Sequence, residues 1–192
     1  MSSTSRTVVI VGGVAGGMST ATRLRRLDET ARIIVVERSG HVSFANCGLP
    51  YHVGGVIEAR SALLLQTPAS LGARFGLDVR VRTEAVAIDP AAHRVTLRDL
   101  ASGVEEEVTY DALVLSPGAR PVRPPIPGIE RALTLRDLED TDVLVAAVAA
   151  AQGVEARGFD DESPEPATAV VIGGGFIGVE LTENLVHRGW DV

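Results

Sequence analysis

Short runs of β-branched, uncharged residues recur along this chain, each followed by glycines and then by a helical stripe. Residues 7–12 (TVVIVG) read as a buried strand ending in glycine. Residues 15–27 read as a helix: Met18, Ala21, Leu24 and Leu27 recur every third position, with Arg23, Arg25 and Arg26 off that stripe. Residues 32–37 (RIIVVE) are a second buried strand. Strand, glycine turn, helix and strand in about 30 residues form one βαβ unit, which implies a parallel sheet.

Residues 41–57 show no regular period and read as irregular. Residues 67–75 predict a helix with Thr67 as its cap and Pro68 at its first position. Three strand patterns follow, at 79–88, 94–100 and 104–110, with Asp89-Pro90 and Ser102-Gly103 as turns. They predict an antiparallel meander set into the α/β layer. Residues 112–115 form another buried strand before Ser116-Pro117-Gly118. Four prolines stiffen residues 120–128, a natural crossing between domains. Residues 138–152 look helical with Gly153 as a C-terminal cap, and the acidic stretch 153–167 reads as a loop. Residues 169–172 predict a new buried strand, then glycines, a helix to His187 and entry to another strand at Trp190-Asp191-Val192.

Residues 169–192 thus repeat the pattern of residues 7–36, cut short. So few residues cannot enclose a core, so the chain reads as a fragment of a longer protein. The expected fold class is α/β: a Rossmann-like dinucleotide-binding domain over 1–119, a proline-rich crossing over 120–133, and the start of a second Rossmann-like domain over 134–192.

Composition narrows the classes. The 192 residues are 45% hydrophobic and 22% charged, which excludes disorder along most of the length. The net charge of −7 argues against a nucleic-acid or anionic-membrane surface. All 18 basic residues are Arg, so no mechanism here uses a lysine. A single cysteine, Cys47, excludes a disulfide-stapled scaffold. No run approaches the roughly 20 apolar residues of a membrane helix, and a soluble cytoplasmic protein is expected. His41, His52, His93 and His187 have no metal-ligand spacing, so no metal is expected.

Two glycine turns carry the candidate chemistry. The first, Gly12-Gly13-Val14-Ala15-Gly16-Gly17, keeps the first and last glycines of the dinucleotide fingerprint and replaces the middle one by Val14. The fingerprint serves a tight turn, close approach of backbone N–H groups to a pyrophosphate, and close helix–strand packing. Glu37 lies 20 residues past Gly17, where a carboxylate can accept from a ribose. The second turn, Gly173-Gly174-Gly175-Phe176-Ile177-Gly178, matches the fingerprint fully. Two dinucleotide sites suggest hydride transfer from a nicotinamide to a flavin.

An electron sink is then needed, and the candidate is the segment SFANCGLPY, residues 43–51. A lone cysteine is usually a small buried hydrophobe. Here Ser43 and Asn46 set polar groups beside Cys47, while Gly48 and Pro50 shape the backbone. A thiolate at this place can attack a disulfide or face a flavin.

Residues 12–37, 43–51, 110–118 and 173–180 together resemble the pyridine nucleotide-disulfide oxidoreductases. The likeness is strongest to the subgroup of coenzyme A-disulfide reductases, with its relatives among NADH oxidases and persulfide reductases. SFANCGLPY is the most specific element, because the dithiol branch carries Cys-x4-Cys there. The resemblance implies a homodimer binding FAD in the first domain and NADH or NADPH in the second. FAD would meet Gly12, Gly13, Val14, Ala15, Gly16 and Gly17 at the pyrophosphate. Glu37 and Arg38 would lie at its adenosine ribose, the backbone near Val86 at the adenine, and Ser116, Pro117 and Gly118 near the flavin nucleotide. NAD(P)H would meet Gly173, Gly175, Ile177, Gly178 and Glu180.

Cys47 would be the redox-active nucleophile, forming a mixed disulfide with a substrate thiol. Coenzyme A would lie near Ser19, Arg23, Arg26, Ser43, Asn46 and Arg74, whose guanidinium forks suit its phosphates. Each assignment has a plainer alternative: Arg23 and Arg26 as a solvated helix face, Tyr51 as core, Ser116–Gly118 as a strand-end turn, Glu180 as a surface residue. Two other chemistries keep the same fold, namely a Cys47 sulfenic acid cycle, as in NADH oxidases and peroxidases, and persulfide or polysulfide reduction. A reading of another class is an inactive FAD-binding fragment, and no robust turnover is expected of the 192-residue chain itself.

Overall fold

The computed structural model describes residues 5–155 and 166–192. Its elements begin with β1 (Thr7–Val11), α1 (Ala15–Leu27), β2 (Arg32–Val36), α2 (Leu49–Val53), α3 (Pro68–Phe75) and β3 (Asp78–Arg80). They continue with β4 (Thr83–Asp89), β5 (Arg94–Asp99), β6 (Glu105–Thr109), β7 (Ala112–Leu115), α4 (Leu138–Glu155) and α5 (Phe176–His187). The chain divides into two compact units. One comprises the chain up to Phe44 with Leu64–Ala119, the other Ala45–Leu63 with Arg120–Val192.

The first unit is built on a parallel sheet in the order β3-β2-β1-β7. β1 and β2 are buried on both faces, which is why they read as continuous apolar runs rather than alternating ones; β7, expected to be buried, is half-exposed, with Ala112 and Leu115 open to solvent. Val8, Ile10, Ile33 and Val35 pack on one face with Met18 and Ala21 of α1 and Leu71 of α3. Val9, Ile34 and Val36 pack on the other with Val95, Leu97 and Val108 of an antiparallel sheet, β4-β5-β6. The mixed α/β architecture, a parallel sheet plus an antiparallel meander, is the one expected. The α1 limits and the Thr67 cap also agree: Thr67 and Ser70 satisfy each other's backbone amides in a capping box.

The expected strand over 79–88 is two elements. β3 pairs in parallel with β2, whereas β4 pairs antiparallel with β5. The break falls at Arg82, whose φ of 50° turns the chain out of the parallel sheet. Its neighbours change partners there: Glu37 N donates to Arg80 O at 2.8 Å, and Leu100 N donates to Arg82 O at 2.8 Å.

In the second unit, α2 packs against α4 and α5. The segment expected to be irregular, 41–57, therefore contains a tight turn at Asn46–Gly48 and the short helix α2. One turn of helix is too short to show a hydrophobic period, and its partners lie more than 80 residues away in sequence. α4 runs through Glu155, so Gly153 lies inside the helix rather than capping it; one interior glycine costs about 1 kcal/mol, which a long helix tolerates. The expected loop 153–167 falls largely outside the described residues. Residues 169–172 form no strand: a single parallel bridge, Thr168 to Asp191, is the pairing present, and Val170 and Ile172 are exposed. A strand is defined by its ladder partners, and apolar sequence does not supply them. No helix among the described residues is long and apolar enough to cross a membrane.

Candidate functional site

In a parallel sheet all strands end on one edge, and that edge is where ligands bind in open α/β folds. β1, β2 and β7 bring the first glycine turn, Glu37 and Ser116 together there. Gly12 N donates to Val36 O at 2.8 Å and Ser116 N to Val11 O at 2.7 Å. Gly12 has a φ of 103°, and a side chain on it would collide with the Ser116 carbonyl. A Cβ on Gly13 would lie 2.7 Å from Val42 Cγ1 and 2.9 Å from Glu37 Cβ. A Cβ on Gly17 would strike the Gly12 carbonyl oxygen, so α1 can approach β1 only with glycine there. Val14, at the middle position, caps α1 with a negative φ of −103° and so needs no glycine. Gly16 is the loosest member: its Cβ would stand 3.3 Å from Ser116 Oγ.

Glu37 is tied to this turn. Gly13 N donates to Glu37 Oε2 at 2.7 Å and Ser39 N to Oε1 at 2.8 Å. A carboxylate has about four acceptor sites, so capacity remains for two hydroxyls. Arg38 is exposed and lies 3.6 Å from Glu84. Val86 sits at a β-bulge: Ala85 faces Leu97 and Ala87 faces Thr96, leaving Val86 without a partner in the register. Pro117 is exposed, as is Gly118, whose φ is 70°.

A cleft of about 370 Å³ opens beside the turn. Val14, Ala15, Met18, Phe44 and Leu71 contribute apolar wall, while Ser19, Ser43, Gln66 and Arg74 supply polar groups. Ser43 has a φ of 49°, and its amide donates to Gly13 O at 3.0 Å, which fixes the loop over the turn. Of the six residues expected around a coenzyme, Ser19, Ser43 and Arg74 line this cleft. Arg23 and Arg26 do not line it; both are exposed on α1, and Arg26 Nε donates to Thr22 O at 3.2 Å. Arg25, expected on the same polar face, is structural instead. It donates to the carbonyls of Phe75 at 2.8 Å, Glu29 at 2.7 Å and Ala31 at 2.7 Å. Sequence places Met18 only on the apolar stripe of α1 and gives Gln66 no role; Gln66 stands next to the Thr67-Pro68 cap, the one signal that places it on a helix entry.

Asn46 and Cys47 belong to the second unit. Cys47 is exposed and unbridged. Its turn is held by Gly48 N donating to Ala45 O at 2.9 Å and Ala45 N donating to Leu63 O at 2.9 Å. A Cβ on Gly48 would lie 2.8 Å from Leu63 Cδ2, so glycine lets the turn close on buried Leu63. Tyr51 is half-buried rather than core. α2, directly after the cysteine turn, rests on α5: a Cβ on Gly54 would run into buried Asn184, and Arg188 Nη1 donates to Val53 O at 2.9 Å. Arg60 makes a two-point pair with Asp142, 2.6 and 2.8 Å, and this hydrogen bonding raises the guanidinium pKa above its ordinary value.

The second glycine turn repeats the geometry of the first. Gly173 has a φ of 120°, and a Cβ on Gly178 would strike the Gly173 carbonyl oxygen. Gly175 caps α5 and its surroundings are open. Ile177 is exposed and Glu180 half-buried, its backbone carbonyl accepting from Asn184 Nδ2 at 2.8 Å.

A glycine turn, a strand-end carboxylate and a second fingerprint define a dinucleotide-binding α/β protein. The family model for pyridine nucleotide-disulphide oxidoreductases matches residues 6–192, and the chain belongs to that family. It is 36% identical over 185 residues to the coenzyme A disulfide reductase of Staphylococcus epidermidis, covering 96% of this chain and 39% of that protein. The chain thus spans about two-fifths of that relative's length. The solved structure of reduced Bacillus anthracis CoADR-RHD aligns with a TM-score of 0.85 at 48% identity, covering 98% of this chain and 32% of the other. An NAD-dependent persulfide reductase from A. fulgidus aligns with a TM-score of 0.83 at 36% identity, covering 96% and 32%.

Proposed function

We propose that this chain carries the FAD-binding domain and the start of the NAD(P)-binding domain of a disulfide oxidoreductase of the coenzyme A-disulfide reductase kind, with Cys47 as its single redox-active sulfur. The observation that carries this reading is the convergence of Ser19, Ser43 and Arg74, from three separate segments, on one cleft.

The first turn fits a dinucleotide. Gly12, Gly13 and Gly17 keep side chains out of the turn, and the opening amides of α1 have no acceptor within the helix. The amide of Gly13 is spent on Glu37, so the pyrophosphate falls to Val14, Ala15, Gly16 and Gly17. Glu37 and Arg38 take the ribose region, Val86 the adenine, and Ser116, Pro117 and Gly118 the flavin nucleotide. Bound FAD supplies a two-electron relay between nicotinamide and sulfur. Gly173, Gly175, Ile177, Gly178 and Glu180 take NADH or NADPH.

Cys47, as thiolate, attacks one sulfur of the substrate disulfide. A Cys47–sulfur bond forms, the substrate S–S bond breaks, and one thiol leaves with the displaced electron pair and a proton. Overall, one NAD(P)H and one proton convert one disulfide into two thiols. One protein cysteine suffices because the substrate brings the second sulfur. Ser19, Ser43, Asn46 and Arg74 position the thiol-bearing molecule, with Arg23 and Arg26 available to its phosphates. The whole protein acts as a homodimer in the cytoplasm.

The test is NAD(P)H consumption by the intact protein offered coenzyme A disulfide, oxygen, peroxide or polysulfide. Preference for coenzyme A disulfide, abolished in Cys47→Ser with flavin still bound, is the expected result. Preference for oxygen or peroxide assigns a Cys47 sulfenic acid cycle, and preference for polysulfide a persulfide acceptor. No turnover with any acceptor leaves an inactive flavin-binding protein.

A further inference from the structure

Helix α2 follows the cysteine turn without a break. Leu49 N donates to Asn46 O, so residues 46–53 form one short helical ridge with Cys47 near its start and Val53 at its end. At the helical rise, Cys47 lies roughly 9 Å along the ridge from Val53. A helix of five residues has no independent stability, so the ridge lies where its neighbours hold it.

Its far end is held by α5 in two ways. The last carbonyls of a helix have no partner within it. Those of Pro50, Tyr51 and His52 accept locally, from Gly54 N at 2.9 Å, Ile57 N at 3.1 Å and Gly55 N at 3.0 Å. The Val53 carbonyl accepts instead from Arg188 Nη1 at 2.9 Å, across 135 positions of sequence. Arg188 is seated at the end of α5, its amide donating to Leu185 O at 3.0 Å. The opposite limit is steric. Gly54 has an ordinary helical φ of −70°, so glycine serves there for space rather than for conformation. A Cβ on it would overlap Asn184 Oδ1 and stand 2.6 Å from Asn184 Cβ. Asn184 is buried, and its Nδ2 donates to Glu180 O at 2.8 Å, which fixes its side chain. Gly54 against Asn184 stops α2 from moving closer to α5, and Arg188 stops it from moving away.

We infer that Arg188 is a positioning residue for Cys47, given the redox role proposed above for that sulfur. With Gly54 and Asn184 it sets the stance of α2 on α5, and through α2 the stance of the cysteine turn. α5 starts directly after Gly175, so the nucleophile is seated on the helix that the second glycine turn opens. Attack on a disulfide needs the thiolate aligned with the S–S bond. A small shift therefore slows that attack far more than it slows alkylation of the exposed thiol by a small reagent.

The experiment compares the intact protein with two variants. Arg188→Met keeps the aliphatic stem and removes the donor; Gly54→Ala presses α2 off α5 with Arg188 in place. In both, kcat with coenzyme A disulfide is expected to fall about tenfold, with KM for NAD(P)H and alkylation of Cys47 by iodoacetamide each within about twofold of wild type. Flavin content equal to wild type reports an intact fold. Unchanged kcat in Arg188→Met overturns the role of Arg188, and unchanged kcat in Gly54→Ala overturns it too, because the stance of α2 then has no effect. A fall in kcat matched by loss of flavin, or by an equal change in alkylation rate, also overturns it, since that marks a residue needed only for the fold. Should Arg188→Met fail to fold, Gly54→Ala decides by the same criteria. Full turnover in Cys47→Ser, or a wild type that reduces no disulfide, overturns the underlying reading and this inference together.

Discussion

The backbone amide of Gly13 donates to Glu37 Oε2 at 2.7 Å, tying the glycine turn after β1 to the carboxylate just beyond β2. The two strands run parallel and end together, so residues 24 apart in sequence meet at one edge. The carboxylate thus braces the turn and keeps acceptor capacity for a ribose.

Because the observed tie to Gly13 and the proposed ribose contact sit on one side chain, Glu37→Gln and Glu37→Ala should separate them. Gln keeps one acceptor for Gly13, whereas Ala keeps none. Flavin affinity of the intact protein is expected to fall about tenfold in Gln and up to about a hundredfold in Ala, the range for hydrogen bonds to a charged group. Titration of the apoprotein with FAD measures it. Equal affinity in all three forms would remove Glu37 from the site.

Two neighbouring glycines should respond very differently to one added methyl group. Gly17→Ala drives a Cβ into the Gly12 carbonyl and is expected to cost about 2–3 kcal/mol by forcing α1 off β1. Gly16→Ala meets only Ser116 Oγ at 3.3 Å, a side-chain atom that can rotate, and should cost under about 1 kcal/mol. Urea denaturation of both variants checks the contrast; similar losses would refute the packing account.

Arg25 and Arg23 are both on α1, two residues apart, yet their substitution should differ in effect. Arg25 joins the end of α1 to the end of α3 through Phe75 O at 2.8 Å and to the β2 approach through Ala31 O at 2.7 Å. Arg25→Ala is expected to lose about 2 kcal/mol of stability. Arg23→Ala, at an exposed position, should lie within about 0.5 kcal/mol of wild type. Chemical denaturation measures both.

Acid should loosen two turns of the first unit. The Asp28 carboxyl is held below its ordinary value, first by the Thr30 hydroxyl and then by backbone amides of Thr30 and Ala31. The Asp99 carboxyl is lowered by the Ser102 amide and hydroxyl. A folded pKa below the unfolded one gives stability that is complete above the unfolded value, about 3.9, and is lost as pH falls through the folded value. Wild type should therefore lose stability below about pH 4. Asp28→Asn should show a shallower fall across that window. Denaturation between pH 6 and 2 tests the difference, and parallel profiles would refute it.

Much of the first unit was legible in the chain because its signals are local or redundant. The runs at 7–11 and 32–36 are buried on both faces, so they carry no polar interruption and can hardly be anything but central strands. The helix 15–27 and the Thr67 cap are set by period and by a hydroxyl that satisfies an open amide. Local pattern failed where the outcome depends on a distant partner. Residues 79–88 hold no turn residue to mark a break, and only the availability of β2 on one side and β5 on the other divides them at Arg82. α2 is too short to announce itself and exists against α4 and α5.

The chemistry divides in the same way. Residue type and spacing alone determined that two glycine turns follow apolar runs, that an acidic residue closes the second run, and that one thiol stands in a glycine-bounded segment. Tertiary structure decided which of those residues share a site. It drew Ser19, Ser43 and Arg74 to one cleft with Gln66, left Arg23 and Arg26 on the surface, and turned Arg25 into a structural clasp. The reason is geometric: neighbours along a helix point in directions about 100° apart, so which arginine faces a ligand depends on where the helix is packed.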